Sequence, residues 1–179
     1  MNLGWPAQIY LVGFMGSGKS TVGPLLARAL GRPFIDLDEV IQASTGRTIP
    51  EIFSQEGEVG FREIETRCLE QVAGGPPAVV ALGGGAYQGA VNRSITASTG
   101  TTIWLQVSLA TVKARVLGDP DRPLAGDPRR LEELFERRLD AYRQADLQVW
   151  AEGRTPEEVV EEIRALLSSP PAGRGPQVP

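Results

Sequence analysis

Eight residues near the start of the chain, Gly13-Phe14-Met15-Gly16-Ser17-Gly18-Lys19-Ser20, have the spacing G-x-x-x-x-G-K-S that cradles a nucleoside polyphosphate. The glycines let successive backbone N–H groups turn inward as a nest for phosphate oxygens, at the positive end of the helix that follows. Lys19 places a cation at the β- and γ-phosphates, and the Ser20 hydroxyl is a magnesium ligand. A nucleoside triphosphate is therefore bound here, but this motif leaves open what receives its phosphate.

Two further groups bear on the acceptor. Asp36-Leu37-Asp38 closes an apolar run, and if that run is a strand, its period of two sends both carboxylates to one side at its C-terminal end. One carboxylate then holds magnesium through water, and the other accepts a hydrogen bond from an attacking hydroxyl. The alternative is two solvated aspartates, one of them capping the next helix. The chain has no histidine, so a base working near neutral pH has to be a carboxylate or a perturbed Lys, Cys or Tyr. Gly83-Gly84-Gly85 follows another apolar run. It is either bare backbone whose N–H groups meet ligand oxygens or a flexible turn.

These groups need a frame. Strand-like runs at Gln8 to Val12, Pro33 to Leu37, Ala78 to Leu82, Thr101 to Val107 and Leu147 to Trp150 alternate with helical patterns, the first from Lys19 to Leu30. That alternation predicts an α/β fold with a parallel sheet, whose ligands gather at the carboxyl edge. Thr155-Pro156-Glu157-Glu158 has a cap, a proline at the first helical position and a capping-box glutamate, opening a last helix to about Leu167. Residues 118–128 carry three prolines and two glycines between helical patterns and read as a lid loop, or else as a surface connection. The stretch 168–179, rich in Pro, Gly and Ser, reads as a mobile tail behind a single domain at 1–167.

Composition narrows the partners. With 179 residues, 41% hydrophobic and 22% charged, the chain is sized for one core. A net charge of −4 gives no basic field for nucleic acid. The single cysteine, Cys68, makes no internal disulfide and reads as a buried or half-buried helical thiol. No apolar run reaches the ~20 residues of a membrane span, and no signal pattern opens the chain. A cytoplasmic address follows; that the protein is a monomer is a separate expectation, which composition does not supply.

Taken together, Gly13 to Ser20, Asp36-x-Asp38, Phe61-Arg62-Glu63-x-Glu65, Gly83 to Gly85, Arg122-Pro123-Leu124 and Arg138-x-x-x-Tyr142 resemble the shikimate kinase family, from about Ile9 to Leu167. The resemblance implies a P-loop fold of the nucleoside-monophosphate-kinase type. Its five-stranded parallel sheet is flanked by helices, with a substrate-binding helical segment between the second and third strands. It implies ATP-dependent phosphorylation of shikimate to shikimate 3-phosphate, on the way to chorismate and the aromatic amino acids, with Mg²⁺ as cofactor.

By that resemblance Asp38 holds the acceptor hydroxyl and acts as base, while Lys19 and Arg122 complete the catalytic set. Arg62 and Arg138 bind the acid's carboxylate beside Gly83, Gly84 and Gly85, which suits the two parallel bonds of a guanidinium fork. Glu65 steadies Arg62 from one helical turn away. The nucleotide is held by Gly13, Met15, Gly16, Ser17, Gly18, Lys19, Ser20 and Thr21, with Arg115, Arg122 and Arg154, and the metal by Ser20 and, through water, Asp36. Read singly, Arg62 and Arg138 are as easily surface charges. Ala81-Leu82 departs from the family, where a Ser or Thr commonly precedes the triplet.

Two other readings are compatible with the phosphate loop. One is a different small-metabolite kinase, such as a gluconate kinase. The other is a nucleotide-gated binding module, against which the Asp36/Asp38 pair and Arg122 argue, because a module has no use for groups acting on an acceptor.

Overall fold

The first strand, β1 (Gln8–Val12), is buried along its whole length, as a strand covered on both faces must be. In the computed structural model, which describes residues 7–116 and 127–168, it lies at the centre of a five-stranded parallel sheet. With β2 (Phe34–Asp36), β3 (Val79–Ala81), β4 (Gly100–Gln106) and β5 (Leu147–Trp150), the strand order is β2-β3-β1-β4-β5. Ile9 sits beside Val79 on one side and Thr101 on the other. The chain winds outward in both directions from β1, so the carboxyl end of β1 is where a ligand crevice opens.

Helix α1 (Lys19–Leu30) starts directly from the phosphate loop and stops at Gly31, whose left-handed φ of 65° lets its N–H turn back to the last carbonyls. It packs against β3 and the final helix. Between β2 and β3 run α2 (Leu37–Thr45) and α3 (Ile49–Ala73). Thr48 and Glu51 cap α3 reciprocally, and the helix breaks at Gly57, where φ is 69°. Cys68 is buried in α3, its Sγ 3.4 Å from the Ser44 hydroxyl. After β3 a single 3₁₀ turn at Ala86–Gln88 leads into α4 (Ala90–Thr99). Then come α5 (Leu109–Val116), α6 (Pro128–Tyr142) and α7 (Pro156–Ser168).

The expected β1, β5 and α1 agree with the structure residue for residue. The other strands are one residue shorter at one or both ends or shifted by one. At β2 the cause is visible: Pro33 has no N–H to give the ladder, although its carbonyl accepts from Val79 at 3.0 Å, and Leu37 is already helical. The Thr155–Glu158 capping box forms as expected. Of the expected lid at 118–128, residues 118–126, including Arg122, lie outside the described residues, as do residues 169–179 of the expected tail at 168–179; its first residue, Ser168, instead ends α7. No described helix is long and apolar enough to cross a membrane.

Candidate active site

The phosphate loop joins β1 to α1 and turns through left-handed glycines, with φ of 146° at Gly13, 76° at Gly16 and 102° at Gly18. Side chains are strained in that region, and at Gly13 a methyl group would also lie 2.8 Å from the Leu105 carbonyl oxygen. Lys19 Nζ donates to the carbonyls of Gly13 at 2.7 Å and Phe14 at 3.0 Å, which keeps its cation over the loop. The Ser17 hydroxyl is buried within the turn.

A cleft of about 660 Å³ opens over this loop. Its lining begins with Met15 to Thr21 and continues through Asp36, Asp38, Ala81, Leu82, Gly83 and Gly84. Arg115, Arg154, Pro156 and Val159 also line it. Arg115 donates to the Gly16 carbonyl at 2.7 Å, tying α5 to the loop. Arg154 donates to the carbonyls of Trp150 and Glu158 and pairs with Glu162, so it borders the cleft as a fixed rim.

The aspartate pair is arranged differently from the period-two expectation. β2 ends at Asp36, whose extended backbone makes it the cap of α2, and its Oδ1 accepts from the Asp38 N–H at 2.9 Å. Asp38 therefore stands in the first turn of a helix, where the dipole favours a carboxylate. A favoured capping residue followed by a helical pattern overrides strand alternation. Both carboxylates still border the cleft. Burial pushes the Asp38 carboxyl above its ordinary value, with Asp36 adding to the rise and Lys19 and Arg62 opposing it.

The glycine triplet follows β3 at the same edge, and each of its members faces one charged group. A methyl group at Gly83 would lie 2.8 Å from Asp38 Oδ1, and one at Gly84 2.9 Å from Arg138 Nη1. One at Gly85 would collide with the Arg62 guanidinium. Asp38 from α2, Arg62 from α3 and Arg138 from α6 thus each lie against one member of this stretch of bare backbone. Of the three, Asp38 lines the cleft itself, and Arg62 lines a neighbouring groove with Glu58, Glu63 and Thr66. Sequence distance gave no hint of this meeting.

Each arginine is seated. Arg62 Nη1 donates to Glu65 Oε2 at 2.7 Å, and Glu65 is only 1% exposed, its carboxyl pushed up by burial against the pull of Arg62. The Arg138 guanidinium lies over the Phe14 ring, 5.3 Å from its centroid. Tyr142, one turn beyond Arg138, donates its hydroxyl to the Gly84 carbonyl at 2.5 Å. The sequence marked Tyr142 only as part of a motif, and Phe14 only as a variable position of the phosphate loop. Neither carries a local pattern that reveals its contact.

The donors near the phosphate end are oxygens, the Ser20 hydroxyl and the Asp36 carboxylate, of the type a magnesium ion takes. Among the described residues no three acidic, His or Cys side chains cluster as a metal cage. Ala81 and Leu82 line the cleft with apolar side chains and add no hydroxyl to that set.

The family model described as "Shikimate kinase" matches residues 15–168. A shikimate kinase from Persephonella marina is 46% identical over 157 residues, 87% of this chain and 96% of its own. The solved shikimate kinase from Acinetobacter baumannii in complex with shikimate superposes with a TM-score of 0.86 at 38% identity, covering 93% and 94% of the two chains. The Aquifex aeolicus shikimate kinase gives 0.80 at 40% identity, covering 90% and 95%. A gluconokinase from Sinorhizobium meliloti gives 0.60 at 20% identity, covering 92% and 93%, a likeness of fold alone.

Proposed function

Since this chain belongs to the shikimate kinase family, we propose that it transfers the γ-phosphate of ATP to a hydroxyl of shikimate, yielding ADP and shikimate 3-phosphate in aromatic amino-acid biosynthesis. The observation that carries the substrate is the meeting of Asp38, Arg62 and Arg138 on Gly83 to Gly85, of which Asp38, Gly83 and Gly84 line the cleft over the phosphate loop. Two guanidinium groups there suit the carboxylate of a small acid, and an aspartate beside them suits its hydroxyl.

In this reading the nest of Gly13 to Gly18 and the Lys19 ammonium hold the β- and γ-phosphates. Thr21 lies beside them, and Arg115 and Arg154 border the base. The acid's carboxylate pairs with Arg62 and Arg138, which leaves the opposite edge of the ring toward Asp38. Asp38 accepts the proton of the attacking hydroxyl as its oxygen bonds to the γ-phosphorus and the bond to the β–γ bridging oxygen breaks. The raised carboxyl suits a group that must take up a proton near neutral pH. Ser20 and, through water, Asp36 would hold Mg²⁺, which supplies charge neutralisation at the phosphates. Arg122, outside the described residues, would supply positive charge to the transferring group, a role that rests on its place in the sequence. The enzyme works as a cytoplasmic monomer, one domain holding both substrates.

An ADP-release assay tests this. Release is expected only when shikimate is added, and release with gluconate but not shikimate would retain the chemistry and overturn the acceptor.

A further inference from the structure

Tyr142 ends α6 four residues after Arg138, which puts the two side chains on one face of the helix. Its ring is buried, 1% exposed, and Trp104 of β4 stacks on it with 5.8 Å between centroids. Its hydroxyl and the Arg138 guanidinium address the same loop residue, the first through the Gly84 carbonyl and the second across the Gly84 α-carbon. The described residues contain no cis peptide bond. In a planar trans peptide the Gly84 carbonyl and the Gly85 N–H point in opposite directions, so holding one aims the other.

We propose that Tyr142 is a positioning residue for the acceptor: its hydroxyl sets the Gly84–Gly85 peptide and the seat of the Arg138 guanidinium, so that shikimate meets both already oriented. The inference rests on the shikimate reading above. The phenol remains a donor over the working range, because burial pushes it up to about 12 against the opposing effect of Arg138. Without that donor the Gly84 carbonyl has no reason to keep its direction, and the arginine loses the backbone it lies against.

The test is steady-state kinetics in both substrates on the full chain with Tyr142→Phe, which keeps the ring packing. Tyr87→Phe is the control, since Tyr87 is also buried and meets Thr102 at 3.5 Å instead. Tyr142→Phe is expected to raise the shikimate KM about tenfold, the effect of one well-placed hydrogen bond, with the ATP KM within about twofold of wild type. Tyr87→Phe is expected to leave both constants within about twofold. An unchanged shikimate KM in Tyr142→Phe overturns the role. So does an equal rise for both substrates, or a matching rise in Tyr87→Phe, each of which means general loosening. If Tyr142→Phe yields no folded protein, Trp104→Phe loosens the same ring from its other side. It is expected to raise the shikimate KM selectively, and an unchanged value overturns the role. A wild-type chain that fails to phosphorylate shikimate removes the reading beneath the proposal, whereas an active wild type equalled by Tyr142→Phe removes the proposal alone.

Discussion

Asp38 is a single residue on which activity and stability make opposite demands. Its carboxyl is held above the ordinary value of 3.8, chiefly by burial. Between the unfolded value and the raised folded one, the native state keeps a proton that the unfolded chain has released. Stability therefore falls as pH rises through that window and stays lower above it. Asp38→Asn is expected to melt higher than wild type at neutral pH, with the gap closing below about pH 4, where both forms are neutral. The same variant is expected to lose roughly 10²- to 10⁴-fold in turnover while ADP binding persists, as measured by single-turnover kinetics and calorimetry. Wild-type turnover would remove the base. Arg62→Ala is expected to raise the shikimate KM roughly 10- to 100-fold, because it removes a charge-assisted pair. A normal KM there would end the case for carboxylate recognition by Arg62.

At the scale of elements, two glycines with crowded surroundings separate function from folding. Gly85 faces the tip of the Arg62 side chain, which can be pushed aside, so Gly85→Ala is expected to fold normally and bind shikimate poorly. Gly100 starts β4 against the backbone carbonyl of Gln8, which cannot move without breaking the sheet. Gly100→Ala is expected to cost about 1–3 kcal/mol in denaturant melts and to leave the KM of the surviving folded protein unchanged. The pattern of elements was largely legible beforehand. The helix α1 bounds follow from a glycine-rich start and a glycine stop, and α7 from its capping box. The alternation rule failed at Asp38 because a local cap outcompeted it. No sequence period could foretell Arg62, Arg138 and Asp38 facing three consecutive glycines, since that depends on how α2, α3 and α6 pack around the end of β3.

Over the whole molecule, the phosphate loop is local, whereas the proposed acceptor site is assembled. The phosphate loop spans neighbouring residues on one strand-to-helix turn, which is why its motif could be read directly. The proposed acceptor side draws on residues 38, 62, 83–85 and 138, and only resemblance brought them together in advance. In the proposed mechanism the two halves also differ in what they need from a metal. Chelating magnesium is expected to abolish turnover while shikimate binding, followed by calorimetry, stays within about threefold of its value with the ion, because no residue contacting the acid is among the proposed ligands. A loss of shikimate binding on chelation would place the ion in the acceptor half.

Phe14 belongs by its backbone to the turn that receives the triphosphate, and by its ring to the guanidinium proposed to receive the acid. Occupying either site is therefore expected to alter affinity at the other, as read by titrating shikimate with and without ADP; identical affinities would show that Phe14 carries no coupling. Thermodynamic reciprocity makes the disturbance symmetrical: the factor by which ADP alters shikimate affinity is the factor by which shikimate alters the affinity for ADP.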